Sequence, residues 1–517
     1  LVFGLQFAEP LLVLLLVRLG INYLFKLGLS RWRYVGIRDF GRLLVATTIG
    51  SVIFFVLINW GLVALGSVPV SIVLLDWIFT GYMTGALWVI YRVVYEFKRV
   101  RQGAKQRRVL VLGAGEAAQL LIAQMLRSGA GYLPVGILDD DEAKKGTRIH
   151  GVKVLGSTKD LDEICEKLAV EEIIIGIPSA TSDELRAIMR YSESVELPIK
   201  ILPGMDDVLH GDASLSQVRG LELEDLLGRD PVQLALPELA ESIRDQNVLV
   251  TGAAGSIGSE LARQIAINSP RTLILYDQAE TPLYYLELEL LDLAPDLEIV
   301  PIVASVTDQD AVSQAFETHN PQKVYHAAAY KHVPIQETHP WTAVRTNIGG
   351  TLAMLELANK YKAEKFVLVS TDKAVNPVNV MGATKRLAEI LTQSMNAISK
   401  TEFLAVRFGN VMGSSGSAIP IFEKQIKNGG PVTITHPEMT RYFMSIQEAS
   451  QLILQSGAIG KGGEIILLEM GKPIKIDQLA RDLIKLSGFK PDIDIPVVYS
   501  GLRPGEKLYE ELQSLDE

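Results

Sequence analysis

The residues best equipped for chemistry stand in one short run, Ser370-Thr371-Asp372-Lys373, directly after the apolar stretch Lys365-Phe366-Val367-Leu368-Val369. Ligands of an open parallel sheet sit beyond the carboxyl ends of its strands, so a hydroxyl, a carboxylic acid and an amine there amount to acid–base equipment. Eight residues after Lys373 comes Met381-Gly382-Ala383-Thr384-Lys385, which brings a second amine onto the first turns of an expected helix. The plain alternative is a solvated polar turn. It is disfavoured because the run faces the same sheet edge as a glycine loop.

That loop is Thr251-Gly252-x-x-Gly255-Ser256-Ile257-Gly258, between the strand Val248-Leu249-Val250-Thr251 and a helix expected over 259–268. Bare glycines let phosphates approach the backbone and the helix N-terminus. Nineteen residues beyond Gly258, the strand Thr272-Leu273-Ile274-Leu275-Tyr276 ends at Asp277. A carboxylate there can accept from both adenosine ribose hydroxyls and repels a 2′-phosphate, which favours NAD over NADP. Lys323-Val324-Tyr325-His326 leads into Ala327, Ala328 and Ala329, small enough for a cofactor to lie against. His326, His332 and Cys165 show no partner spacing and read as structural; no metal site is expected.

These residues must be positioned by a larger α/β framework. Past residue 107, β-branched runs alternate with helical stretches, and the pattern starts twice, so two tandem Rossmann-like, doubly wound parallel sheets are expected. The first domain, 108–205, opens with Val109–Leu112 and Gly113-Ala114-Gly115-Glu116-Ala117-Ala118, and a later strand ends at Asp139. No catalytic constellation follows this weaker loop. Residues 206–245 read as a linker, and 246–517 as the NAD-binding domain, whose regular alternation loosens past Val411 into a small C-terminal substrate lobe.

The 517 residues suit three to four units at ~150 residues each. A composition 48% hydrophobic and 21% charged excludes a disordered chain, and the single Cys165 excludes a disulfide framework. Residues 1–108 hold 13 Lys/Arg against 4 Asp/Glu, whereas 109–517 hold 37 against 56. The acidic remainder argues against nucleic acid as a partner; the basic first part points to a lipid bilayer. No charge occurs between Arg42 and Asp76, and ~20 apolar residues cross a bilayer, so spans are expected over 43–65 and 71–95. Residues 1–25 are a third candidate, weakened by Glu9, Pro10 and Arg18. Residues 1–98 thus form the membrane part and 99–107 a basic juxtamembrane linker. Lys26, Arg31, Arg33, Arg38 and Arg42, and again Lys98 to Arg108, hold 26–42 and everything after 96 in the cytoplasm, which predicts a multi-pass protein of the inner membrane. Three spans satisfy the alternation with Leu1 outside, and a start at Leu rather than Met predicts a further segment upstream.

The glycine loop, Ala327–Ala329, Ser370–Lys373 and Lys385 together resemble the extended short-chain dehydrogenase/reductase superfamily. More narrowly, the whole chain resembles the large membrane-anchored nucleotide-sugar 4,6-dehydratases of bacterial polysaccharide biosynthesis. The specific stretches are Arg407-Phe408-Gly409-Asn410-Val411, Gly413-Ser414-Ser415-Gly416-Ser417, His436-Pro437-Glu438-Met439-Thr440-Arg441-Tyr442-Phe443-Met444 and Gly501-Leu502-Arg503-Pro504-Gly505-Glu506-Lys507. Two departures stand out. Met381 occupies the tyrosine position of the superfamily's Tyr-x-x-x-Lys, as it does in the large dehydratases, and Ser305 stands where relatives place an Asp near the adenine.

The resemblance implies an internal redox elimination on a UDP-sugar, UDP-N-acetylglucosamine above all: hydride leaves C4 for NAD, water leaves C5–C6, and hydride returns to C6. It implies that Lys385 bonds the nicotinamide ribose, Thr371 contacts the C4 hydroxyl, Asp372 protonates the departing C6 hydroxyl and Lys373 removes the C5 proton. Arg441 and Arg503 would meet the diphosphate, Asn410 and Glu506 the uridine or ribose, and Lys331 and Asn347 would support the substrate. A homo-oligomer is also implied. The alternatives are a UDP-sugar 4-epimerase, which needs no acid at C6, and a membrane scaffold that binds NAD without turnover.

Overall fold

The computed structural model describes residues 2–25, 27, 37–60, 68–101, 106–128, 131–192, 195, 197–202, 215–227 and 237–514. It divides into two compact units, Leu1–Gly176 with Asp212–Val218, and Ile177–Gly211 with Arg219–Glu517.

The first unit opens with the helices Val2–Leu24, Ile37–Asn59 and Val70–Arg101. Among the described residues two stretches, Asp39–Asn59 and Val70–Tyr91, are long and apolar enough to cross a bilayer by length and composition. The expected span at 1–25 falls on the helix Val2–Leu24, of which Pro10–Leu24 is an apolar stretch. Arg18 does not stand alone: it pairs with Asp76 and donates to Thr47 O at 2.9 Å and Ser51 Oγ at 2.7 Å. That is how a charge between apolar helices is accommodated. Ile21, Leu43, Ala46 and Trp88 close the inner seam, while Leu12, Leu16, Leu44, Leu75 and Phe79 face outward. The charges Lys26, Arg31, Arg33 and Lys105, and the turn residues Gly66 and Ser67, lie outside the described residues, as does Leu1.

After these helices the chain builds a sheet in the order Arg148–Ile149, Val152–Gly156, Tyr132–Leu138, Arg107–Leu112, Glu172–Ile175. The last three are mutually parallel around Arg107–Leu112, whose Val109–Leu112 are fully buried. A run apolar at every position is what burial on both faces requires.

The second unit carries seven parallel strands: β1 Asn247–Thr251, β2 Thr272–Asp277, β3 Glu298–Val303, β4 Lys323–His326, β5 Lys365–Val369, β6 Glu402–Arg407 and β7 Ile465–Leu467. Their spatial order is β3-β2-β1-β4-β5-β6-β7. Strand order reverses between β1 and β4, which opens a crevice at their carboxyl ends. Side-chain alternation splits the core: Val248, Val250, Leu273 and Val367 pack on one face, and Leu249, Ile274, Phe366 and Leu368 on the other. A third apolar cluster, including Met412, Ile419, Phe422, Phe443, Leu479 and Ile484, is the core of a small lobe past β6. Leu223 of the helix Leu223–Leu226 joins that core, so part of the expected linker 206–245 belongs to the lobe; 206–214 and 228–236 lie outside the described residues.

Candidate active site

The glycine loop leaves β1 and enters the helix Ser256–Ala266, whose N-cap is Gly255. Gly252 has φ +65°, a left-handed conformation natural to glycine, and a Cβ there would lie 2.7 Å from Ala328 N. A Cβ on Gly258 would run into Gly252 O, so both glycines are needed for the loop to fold down onto the Ala327–Ala328 turn. A cavity of about 150 Å³ opens there, lined by Gly252, Gly255, Asp277, Ser305 and Ala327 to Ala329. Ser256 and Gly255 line a second one of about 510 Å³ on the other side of the loop, with Met412, Gly413 and Ser415. Ser415 N donates to Ser256 Oγ at 3.1 Å, tying the glycine loop to the small lobe. Ile257 is half-buried on the same first turn.

Asp277 stands at the end of β2. Its two oxygens accept from Ala254 N and Ala279 N, both at 2.9 Å, which aims the carboxylate into the smaller cavity and leaves lone pairs for a ligand. In the first unit the corresponding Asp139 is occupied differently: Ala114 N donates to it at 2.6 Å and Lys144 Nζ at 3.1 Å. Burial pushes the Asp139 carboxyl up, but the donors from Asp141, Lys144 and Ala114 outweigh this and hold it below the usual range.

At the end of β5, Asp372 is fully buried and its amide is held by Phe408 O at 2.9 Å. Its Oδ1 accepts from Thr371 Oγ1 and from Lys373 Nζ, each at 2.9 Å, while Oδ2 is buried without a partner. Lys373 Nζ also donates to Asn410 Oδ1 at 3.1 Å. Thr371, Asp372 and Lys373 therefore form one hydrogen-bonded group. Lys385 reaches the same strand end from the helix Val380–Ile398, donating to Val369 O at 2.6 Å. Burial pulls its ammonium down to about 8, against the opposing charge of Glu389. Met381 is buried on the first turn of that helix.

His326 bridges Thr251 Oγ1 at 2.7 Å and Thr351 Oγ1 at 3.0 Å. Full burial, with Lys385 nearby, lowers its pKa to about 3, which keeps the ring neutral and makes it a strut between β1 and the helix beyond β4.

Several expected substrate contacts are used otherwise. Asn347 has no exposed surface: Oδ1 accepts from Tyr330 N at 2.8 Å, and Nδ2 donates to Tyr330 O and Thr384 Oγ1, both at 3.0 Å. It locks the loop after β4 and cannot touch substrate. Arg441 is buried and donates to Thr440 O, Leu508 O and Lys507 O at 2.7–3.1 Å, so its guanidinium clamps the C-terminal segment, not a diphosphate. Asn410 orients Lys373. Arg503 is exposed, its backbone closed into a turn by Glu506 Oε2 at 3.2 Å, and Lys331 is exposed after β4.

Around this site, sequence reasoning gave no role to three buried charges, Glu389, Arg407 and Glu510. Glu389 accepts from Ser370 Oγ at 2.6 Å and from Arg407 Nη2 at 2.8 Å, pinning the end of β5 to β6. Its place four residues after Lys385 on one helix face was the available signal. The third, Glu510, carries no signal of its own in a C-terminal run of acids.

A family of polysaccharide biosynthesis proteins matches residues 248–517, and a CoA-binding domain matches 28–203. The capsular polysaccharide biosynthesis protein CapD of Staphylococcus aureus is 43% identical over 499 residues, covering 96% of this chain and 83% of that one. A UDP-glucose 4-epimerase of Rickettsia canadensis is 36% identical over 280 residues, covering 53% of this chain and 79% of that one. A UDP-N-acetylglucosamine 4,6-dehydratase (inverting) of Campylobacter jejuni is 34% identical over 277 residues, covering 53% of this chain and 78% of that one.

Proposed function

The chain belongs to the polysaccharide biosynthesis protein family, as a short-chain dehydrogenase/reductase of the nucleotide-sugar dehydratase/epimerase kind, and from that premise we propose that it is a UDP-N-acetylglucosamine 4,6-dehydratase using NAD. The observation that carries this reading is the buried Asp372 paired with half-buried Lys373, beside Thr371 and Lys385. A dehydratase needs both an acid for the C6 hydroxyl and a base for the C5 proton; an epimerase needs neither.

The residues fit NAD. The Gly252–Gly258 cradle leaves backbone and helix N-terminus bare for the diphosphate, Asp277 is aimed for the adenosine ribose, and Ala327 to Ala329 leave room along the crevice. Bound NAD would supply the hydride acceptor and donor for C4 and C6. Lys385 would hold the nicotinamide ribose and place positive charge beside the C4 oxygen. Thr371 would hold the C4 hydroxyl through Oγ1, the thioether of Met381 offering no proton to exchange. Asp372 would deliver a proton to the C6 oxygen and Lys373 would take one from C5. The two cavities and the exposed Arg503 leave room for the nucleotide.

Lys385 gives this a pH signature. Its ammonium persists below about 8 and is lost as the pH rises through that value. Activity is therefore expected to fall above pH 8, and Lys385→Arg, always cationic, should flatten that limb even where it lowers the rate. A limb unchanged in the arginine variant would detach it from Lys385.

The apolar helices Asp39–Asn59 and Val70–Tyr91 and the half-buried Arg18–Asp76 pair support a multi-pass anchor, and the Lys and Arg residues flanking the spans in the sequence support a catalytic unit on the cytoplasmic side. The epimerase reading keeps support from the Rickettsia relative. The full chain in detergent, incubated with UDP-N-acetylglucosamine and substoichiometric NAD and followed by NMR, separates them. A new C6 methyl signal with loss of one water and no net NADH is the expected result. A C4 epimer with C6 hydroxyl intact would overturn it in favour of the epimerase.

A further inference from the structure

The acid–base pair has a third ionisable neighbour that comes from the far end of the chain. Glu510 is 8% exposed. Its Oε1 stands 3.9 Å from Lys373 Nζ and 3.7 Å from Arg441 Nη2, and its Oε2 is buried without a partner. The charged groups facing it are Lys373, Asp372, Arg441 and Lys507. Three anchors bring this carboxylate to the site. Arg441 grips the carbonyls of Lys507 and Leu508, Lys507 Nζ donates to Val375 O at 3.0 Å, and Asn379 Nδ2 donates to Gly505 O at 2.9 Å.

We propose that Glu510 is a positioning residue of the acid–base site: its carboxylate balances Arg441 and sets how tightly Lys373 holds its proton. With Glu510 and Arg441 balanced, the Asp372–Lys373 pair is neutral overall whichever of its members carries the shared proton. Transfer across their 2.9 Å contact breaks one N–H bond of the Lys373 ammonium and forms one O–H bond on Asp372, with no outside reactant. The products are an amine and a carboxylic acid, the forms from which the proposed elimination starts. The amine lone pair then takes the C5 proton and the Asp372 proton leaves in water with the C6 oxygen, which restores the ion pair. Remove the Glu510 charge and Arg441 is left as an uncompensated buried cation that repels the Lys373 ammonium. The Glu510 carboxyl stands above its usual range: burial and the Asp372 charge push it up, and Lys373, Arg441 and Lys507 oppose this only in part.

The catalytic consequence rests on the dehydratase reading, but the effect on Lys373 does not, and the experiment separates them. Competitive acetylation of the full chain by acetic anhydride across pH, read by peptide mass spectrometry, reports the Lys373 amine without any turnover. Glu510→Gln is expected to lower its labelling midpoint by about one pH unit. Glu511→Gln, an exposed neighbour paired with Lys507, should leave it in place. Glu510→Asp withdraws the charge by a methylene and should give a smaller shift of the same sign, which serves if the glutamine variant fails to fold. The dehydratase pH–rate profile should move with the labelling midpoint. A moved midpoint in a protein whose wild type does not turn over UDP-N-acetylglucosamine would support the role of Glu510 and reject the substrate. An unmoved midpoint in folded Glu510→Gln would overturn the proposal.

Discussion

Asp372→Asn is expected to lower the elimination rate about 10²- to 10⁴-fold, the usual contribution of a positioned acid or base, while UDP binding measured by calorimetry stays within a few-fold of wild type. The separation follows from geometry. Asn keeps an oxygen for Thr371 Oγ1 and Lys373 Nζ, and its amide takes the place of Oδ2, which has no partner to lose. Nothing that positions the strand end changes, since Asp372 is held by its own backbone amide on Phe408 O. What would disappear is the proton that Asp372 is proposed to deliver to the departing C6 oxygen. Wild-type turnover by this variant would remove Asp372 from the chemistry; loss of folding, read by protease resistance, would show that the Asp372–Lys373 pair is structural first.

Arg407→Met is expected to cost about 3–5 kcal/mol in the second unit, the penalty for stranding one member of a buried ion pair. Glu389 is fully buried and Arg407 is 2% exposed. Once Arg407 is gone, Glu389 retains Ser370 and the partly exposed Arg386 at 3.1 Å, too little to solvate its charge. Hydrogen exchange should report the loss first in β5 and β6, the strands this pair ties together. Adding Glu389→Gln to Arg407→Met should recover part of the stability because no charge is then buried alone. Strict additivity of the two single effects would show that the pair is not coupled.

The two variants separate what sequence legibly carries from what it does not. Local pattern was sufficient for the framework around the cofactor crevice. Apolar runs at strand length, a glycine loop between strand and helix, and an acid at the end of the next strand are all short-range features. Backbone sterics and the pleat repeat act on them within a few residues, so β1, β2 and the Gly252–Asp277 arrangement follow from the chain itself. The Ser370–Lys373 run was legible for the same reason, being contiguous and fixed to one strand end.

Side-chain commitment was not legible, because it depends on which distant groups the fold brings within about 3 Å. Asn347 and Arg441 have the chemistry of substrate ligands, yet burial beside Tyr330 and the 507–508 carbonyls makes the chain itself their partner. Lone polar groups away from water must be satisfied by whatever is near, and only tertiary structure decides what that is. Glu389 reaches Arg407 across 18 residues, and Glu510 reaches Lys373 from the far end of the chain. Sequence by itself determined which reactive groups exist and which strand ends present them. The tertiary structure decided which groups remain free to meet a ligand, because burial and the arrival of remote partners settle where each proton and each charge can reside.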